Sequence, residues 1–131
     1  MKSEKIIFII ICWVINIQLF SQQIFYVNQK GNDAYDGKSW DTALLSVKKA
    51  IDMAVSGDEI RIGRGTYMVN STITIEKSLT IKGGYVSDES QNMQTKTVLN
   101  GNNEYRILLI RMPVTQDEVQ VSIDGVVFMN A

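Results

Sequence analysis

The chain has 131 residues, about one domain's worth, with 45% hydrophobic residues, 21% charged residues and a formal net charge of −1. That balance excludes a disordered chain and a multi-pass membrane protein, and the lack of any basic run argues against a nucleic-acid partner held by phosphate neutralisation. There is no histidine and one cysteine, Cys12, which removes serine–histidine triads, histidine general bases and any internal disulfide.

Residues 1–22 read as a secretory signal peptide. Lys2 and Lys5 supply the positive start, residues 6–15 are continuously apolar, and Ser21 is a small residue in the more polar exit. The apolar run is shorter than the roughly 20 residues a membrane span needs. Cleavage would remove Cys12, leave no thiol chemistry and no stable membrane span, and place the mature chain outside the cell or on its surface. Ile11 precedes Cys12, whereas a lipid-modified cysteine is expected to follow a small residue.

Residues 24–27 form an aromatic and β-branched run that predicts a first strand. Residues 28–40 are rich in Gly, Asn and Asp and predict a loop of successive tight turns. A helix is expected over 43–55, capped by Asp41 or Thr42, with Leu44, Val47, Ile51 and Ala54 as one apolar stripe and Gly57 as its left-handed stop. Short β-branched pieces then follow at 59–62, 71–75, 79–82, 97–99, 106–111 and 119–123. Turns are expected at 63–65, 76–78, 83–84, 100–103 and 112–117, and the polar stretch 86–96 is expected to bulge from the body.

Two architectures suit one helix and many short strands. An antiparallel sandwich would join its strands by hairpins, and Asn100-Gly101 is a typical hairpin pair. A parallel solenoid would repeat an aliphatic position and a corner glycine at a fixed period. Glycines 63, 83, 101 and 125, each preceded closely by Ile or Leu, fall roughly 20 residues apart. The recurrence favours the solenoid, in which equivalent residues stack about 4.8 Å apart.

With these motifs laid out, the chain resembles the N-terminal region of secreted bacterial right-handed parallel β-helix proteins, of the pectate-lyase-like and polymorphic outer-membrane-protein-like kind. The resemblance is carried by Gly31-Asn32-Asp33, by 36–40 (DGKSW), by 50–54 (AIDMA) running into 57–62 (GDEIRI) and 65–67 (GTY), and by 79–85 (LTIKGGY) and 123–128 (IDGVVF). It implies a mainly β fold, with residues 23–57 as an N-terminal strand, loop and capping helix and 58–131 as the first coils. Trp40 would pack near the start of the cap. Val126, Val127, Phe128 and Met129 would leave the other end unsealed, so the resemblance implies truncation there, with that edge meeting further coils or a partner.

Site chemistry is sparse. Arg61, Arg64, Lys82 and Arg106, with Arg111, are candidates for contacting an acidic polysaccharide or cell-surface glycan, with Asp58, Glu59 and Asp124 as the nearby acids. Solvated strand faces are the plain alternative. Asn32, Asp33 and Asp36 are candidate calcium ligands in one tight loop, although their spacing does not match an EF-hand and a plain turn made by Asn, Asp and Gly is the favoured reading. No other cofactor is implied. Gly63-Arg64-Gly65 lacks the third glycine and the following helix of a nucleotide loop. Asn70-Ser71-Thr72 is formally a glycosylation acceptor. Tyr26, Tyr35, Trp40, Tyr67 and Tyr85 could stack on sugars or pack the interior. The expected role is a non-catalytic cap and first coils serving adhesion or carbohydrate contact. The alternative is the front of a polysaccharide lyase or glycoside hydrolase whose active site lies on coils outside this sequence.

Overall fold

The computed structural model describes residues 21–86, 91–92, 94–115 and 118–131. The signal peptide expected at 1–22, with Cys12, lies almost wholly outside the described residues, as does part of the excursion at 86–96. Among the described residues the chain is mainly β. The strands are β1 (Ile24–Val27), β2 (Glu59–Gly63), β3 (Gly65–Met68), β4 (Ile73–Ile75), β5 (Leu79–Tyr85), β6 (Thr97–Asn100), β7 (Leu108–Ile110), β8 (Val121–Asp124) and β9 (Val126–Met129), with one helix, α1 (Val47–Met53). No helix among the described residues is long and apolar enough to cross a membrane.

The strands form three sheets, ordered β1-β2-β5-β8, β3-β6-β9 and β4-β7. All paired strands in these sheets are parallel. From β2 onward the chain visits the first, second and third sheets in turn, twice, before returning to the first two. Among the described residues no two named strands pair as a hairpin, as a sandwich would need. Asn100-Gly101 turns a corner instead: Gly101 N–H donates to the Met129 carbonyl, and Asn102 and Asn103 take left-handed dihedrals.

Alternation along each strand sorts its side chains. In the first sheet, Phe25, Ile60, Ile81 and Ile123 stand in one register row and face inward. Ile60 and Ile62 are fully buried, as are Ile75 of β4 and Leu44. Buried residues of all three sheets and α1 join one core cluster, so the sheets and helix share a single apolar interior.

The corner between the first two sheets is held by one hydroxyl. Thr97 is fully buried, and its Oγ1 accepts from Gly84 N–H at 2.9 Å and donates towards the Gly63 carbonyl at 2.9 Å and the Ile62 carbonyl at 3.2 Å. Beside it Gly83 and Gly125 face each other so closely that a Cβ on either would lie 2.5 Å from the other's carbonyl oxygen. Gly63 ends β2, Gly83 lies within β5, which runs on to Tyr85 through the turn expected at 83–84, and Gly125 follows β8, all in the first sheet, whereas Gly101 follows β6 of the second. The even spacing seen in the sequence mixes two positions. The register interval from Lys82 to Asp124 is twice that from Arg61 to Lys82, because the second pass has longer connections before β6, between β6 and β7 and between β7 and β8.

The helix is shorter than its periodicity predicts. Leu44 N–H donates to the Tyr26 carbonyl, and the Leu44 carbonyl accepts from Asn28 N–H, so 43–44 extend along β1 and cannot be helical. Ser46, not Asp41 or Thr42, is the N-cap, its Oγ accepting from Lys49 N–H at 3.2 Å. Thr42 is occupied in the loop, donating to Asp36 Oδ1 at 2.7 Å. At the other end Asp58 Oδ2 captures Val55 N–H at 2.8 Å and draws the chain out of the helix. Gly57, with φ of 97°, serves the following turn rather than the helix end. Even so Leu44, Val47, Ile51 and Ala54 are all buried in the core.

Other strand boundaries shift. The expected strands at 71–75 and 106–111 contract to β4 and β7, which leaves Arg106 outside its strand. The turn expected at 63–65 forms around Arg64, and β3 starts at its last residue and runs through 66–68, for which the sequence suggests no element. Gly65, at φ of 128°, makes the corner, and Tyr67 and Val69 point inward after it.

Candidate functional site

The outward face of the first sheet gathers most of the chemistry. Two register rows cross it: Ile24, Glu59, Thr80 and Ser122, then Tyr26, Arg61, Lys82 and Asp124. The alternation Glu59-Ile60-Arg61-Ile62 forces Glu59 and Arg61 onto the same face while the isoleucines fill the core. Glu59 is only 6% exposed and accepts from Arg61 Nε at 2.6 Å on one oxygen and from Lys82 Nζ at 3.1 Å on the other. Burial alone would raise the Glu59 carboxyl, but the bonds from Arg61 and Lys82 outweigh it and hold the group below the usual carboxylate range. Its partner Arg61 is correspondingly raised, chiefly by the bond to Glu59.

Aromatic rings flank this cluster. Trp40 packs edge-on against Tyr26 with ring centroids 4.8 Å apart and lies 5.6 Å from Tyr85. The Arg61 guanidinium carbon sits 5.6 Å from the Tyr85 centroid. Trp40 therefore belongs to this outward cluster, packed on β1 of the cap. Its Nε1 is buried with no hydrogen-bond partner among the described residues. Tyr26, Tyr67 and Tyr85 are buried, which leaves Tyr35 at 48% exposed among the tyrosines considered for stacking on sugars. Tyr67 donates to the Gly63 carbonyl at 2.9 Å, and burial pushes its phenol well above the ordinary range.

The proposed basic residues do not all converge. Arg61 and Lys82 are register neighbours sharing Glu59. Arg64 lies at the adjoining corner, its N–H donating to the Tyr85 carbonyl at 2.8 Å. Arg106 precedes β7 of the third sheet, and Arg111 there pairs with Glu76 at 2.6 Å. At the far end of the row Asp124 accepts from Gln91 Nε2 at 3.2 Å. Asp58 is buried away from this face, accepting from Gln23 N–H and Val55 N–H.

In the loop before α1, the candidate calcium ligands have protein partners. Asn32 Oδ1 accepts from Ala34 N–H. Asp33 Oδ1 accepts from Leu45 N–H and Ser46 N–H, both at 2.9 Å, and Oδ2 from the Ser46 hydroxyl at 2.8 Å. Asp36 Oδ1 accepts from Lys38 N–H and Thr42 Oγ1. Partial burial works to raise Asp33, and the bonds from Ser46 and Leu45 overcome it and lower the carboxyl. Asp36 is lowered chiefly by the Lys38 backbone and then by the Thr42 hydroxyl. Among the described residues no group of three or more His, Cys, Asp or Glu is placed to hold a metal ion. These carboxylates brace the loop and the helix start.

A groove of about 570 Å³ lies elsewhere, between the start of α1 and the β3–β4 segment, bordered by Asp33, Ser46, Lys48, Tyr67, Met68 and Asn70. None of the candidate cations lines it, and Lys48 is paired with Asp52 at 2.7 Å. The sequence underrated Glu59, which it treats only as a nearby acid, and missed Thr97 and Gln91. The i, i+2 spacing of Glu59 and Arg61 was the available signal for the first. Comparison with protein-family models, curated proteins and solved structures finds no match to this chain.

Proposed function

We propose that the chain is the capped first part of a right-handed parallel β-helix, borne on a secreted or cell-surface protein, and that it serves as a non-catalytic module for adhesion to acidic carbohydrate. The observation that carries the reading is the difference between the two ends of the first sheet. At one end the edge of β1 is covered: Tyr26 N–H donates to the Gly37 carbonyl, and Leu44 exchanges bonds with Tyr26 and Asn28 under α1. At the other, β8 is the last strand of its sheet and Val121 and Ile123 are half-buried, where their register partners Leu79 and Ile81 are buried. Repeat arrays cap an end to stop uncontrolled strand addition. Strict parallel pairing and ordered visits to three sheets support the same reading, and the leader-like residues 1–22 support export.

Carbohydrate contact is assigned to Arg61 and Lys82 on the outward face, with Arg64 at its corner. The test is titration of the purified chain with polygalacturonate against a neutral glucan of similar length, at low and raised salt. The expected outcome is salt-sensitive binding to the acidic polymer that weakens at least about fivefold in the Arg61→Ala/Lys82→Ala double variant. Equal affinity for both polymers, or none for either, would overturn the assignment.

A further inference from the structure

The cover over the first coil is uneven. Residues 37–44 bond along β1 of the first sheet, whereas β3 is the outermost strand of the second sheet on the same side. In a parallel ladder alternate residues turn both backbone groups to the same neighbour. Gly65 N–H donates to the Lys96 carbonyl and Val69 N–H to the Asn100 carbonyl, so 65, 67 and 69 serve β6, and Thr66 and Met68 turn their groups the other way. The Thr66 carbonyl accepts from Gln29 Nε2 at 2.9 Å. The Thr66 N–H and the Met68 N–H and carbonyl have no protein partner among the described residues. These two residues border the groove of about 570 Å³ between β3 and the start of α1, whose walls include Leu45, 47% exposed, and Met68, 53% exposed.

We propose that the β3 edge is a docking site for a short extended peptide segment of another protein, one whose side chains alternate aliphatic and polar. Three observations select that occupant. The free backbone groups recur at every second residue of a strand, a pattern that another extended backbone satisfies and a sugar or a helix does not. Gln29 already holds a side-chain amide against the Thr66 carbonyl, in place of the peptide N–H that a paired strand would bring. Tyr67 and Val69 turn inward and line the groove together with Val47, so every second side chain of an added strand meets an apolar wall while the others lie beside Thr66 and Met68 on the outward face. The site is two strands away from β9 in its sheet, and it uses neither Arg61 nor Lys82.

The test uses the full chain and a blocked peptide of alternating valine and threonine, about six residues long, followed by two lysines for solubility. Two further copies are N-methylated, one on its valines and the other on its threonines. Binding affinity and amide hydrogen exchange are read together, with light scattering for the mass of the free chain. The unmethylated peptide is expected to slow exchange at Thr66 and Met68 at least about tenfold. One methylated copy should lose binding and the other keep it, because only alternate nitrogens of a strand face β3. Gln29→Ala removes the amide that occupies the Thr66 carbonyl and should tighten binding about twofold to tenfold. Equal binding of all three peptides, protection confined to 121–129, or no binding at all would overturn the proposal. So would Thr66 and Met68 amides already protected in the free chain, monomeric or dimeric, since the chain itself would then fill the edge.

Discussion

Replacing Glu59 by Gln should lower stability and strengthen polyanion binding in the same protein. The carboxylate is 6% exposed and joins two cations, at 2.6 Å to Arg61 and 3.1 Å to Lys82. The Arg61 side chain is 19% exposed, so its bond counts as a largely buried charge-assisted one, about 1.5–3 kcal/mol. The Lys82 side chain is 37% exposed, and its share falls to about 0.2–1 kcal/mol by solvent screening. Gln keeps the shape and one acceptor, so the net loss should be about 1–3 kcal/mol, read as a fall of roughly 4–12 °C in melting temperature. The same change releases Arg61 and Lys82 from their counter-ion, and affinity for an acidic polysaccharide should rise. Because the folded carboxyl sits below its unfolded value, the wild-type contribution is complete above the ordinary carboxylate range and is lost as pH falls through the lowered folded value. The stability gap between wild type and Glu59→Gln should therefore close in acid. Thermal melts at several pH values and glycan titrations check both halves. A variant that melts like wild type at neutral pH, with unaltered binding, would refute the assignment of Glu59 as the shared counter-ion.

Three further outcomes follow from the interior and the loop. Thr97→Val keeps the shape but orphans the buried Gly84 N–H and should cost about 1–3 kcal/mol in urea unfolding, whereas Thr97→Ser keeps the hydroxyl and should cost about 1 kcal/mol. Gly83→Ala should destabilise by at least about 1 kcal/mol, because its Cβ would lie 2.5 Å from the Gly125 carbonyl oxygen, and a melt matching wild type would show that the two backbones can part. Ser46→Ala removes the helix cap and a bond to Asp33 and should lower stability by about 0.5–2 kcal/mol, with amide exchange quickening first at Val47–Met53.

The elements with a strong local signal were legible in the sequence. Residues 59–62 and 79–82 alternate cleanly, although the second strand runs on to Tyr85 where the sequence suggests a turn at 83–84, and the buried stripe Leu44, Val47, Ile51 and Ala54 is correct even though only part of it is helical. What escaped was decided by long-range bonds. Residues 43–44 would serve a helix well, but β1 needs partners along its edge and takes the Leu44 amide and carbonyl. β3 was hidden because its first residue is a left-handed glycine, the usual sign of a turn, and its pairing partner Thr97 lies 32 residues away by the register of Gly65 with Thr97. The candidate cations were legible as residue types, but not their arrangement. Whether Arg61 meets Lys82 or Arg106 depends on the number of residues between sheet visits, and the longer connections of the second pass make that number irregular.

The sealed edge of β1 limits how two copies can meet. With the Tyr26 N–H and carbonyl and the Asn28 N–H already bonded to residues 37–44, the first sheet presents little free backbone on that side to the β8 edge of another molecule, so joining two first sheets there would require residues 37–44 to come away first.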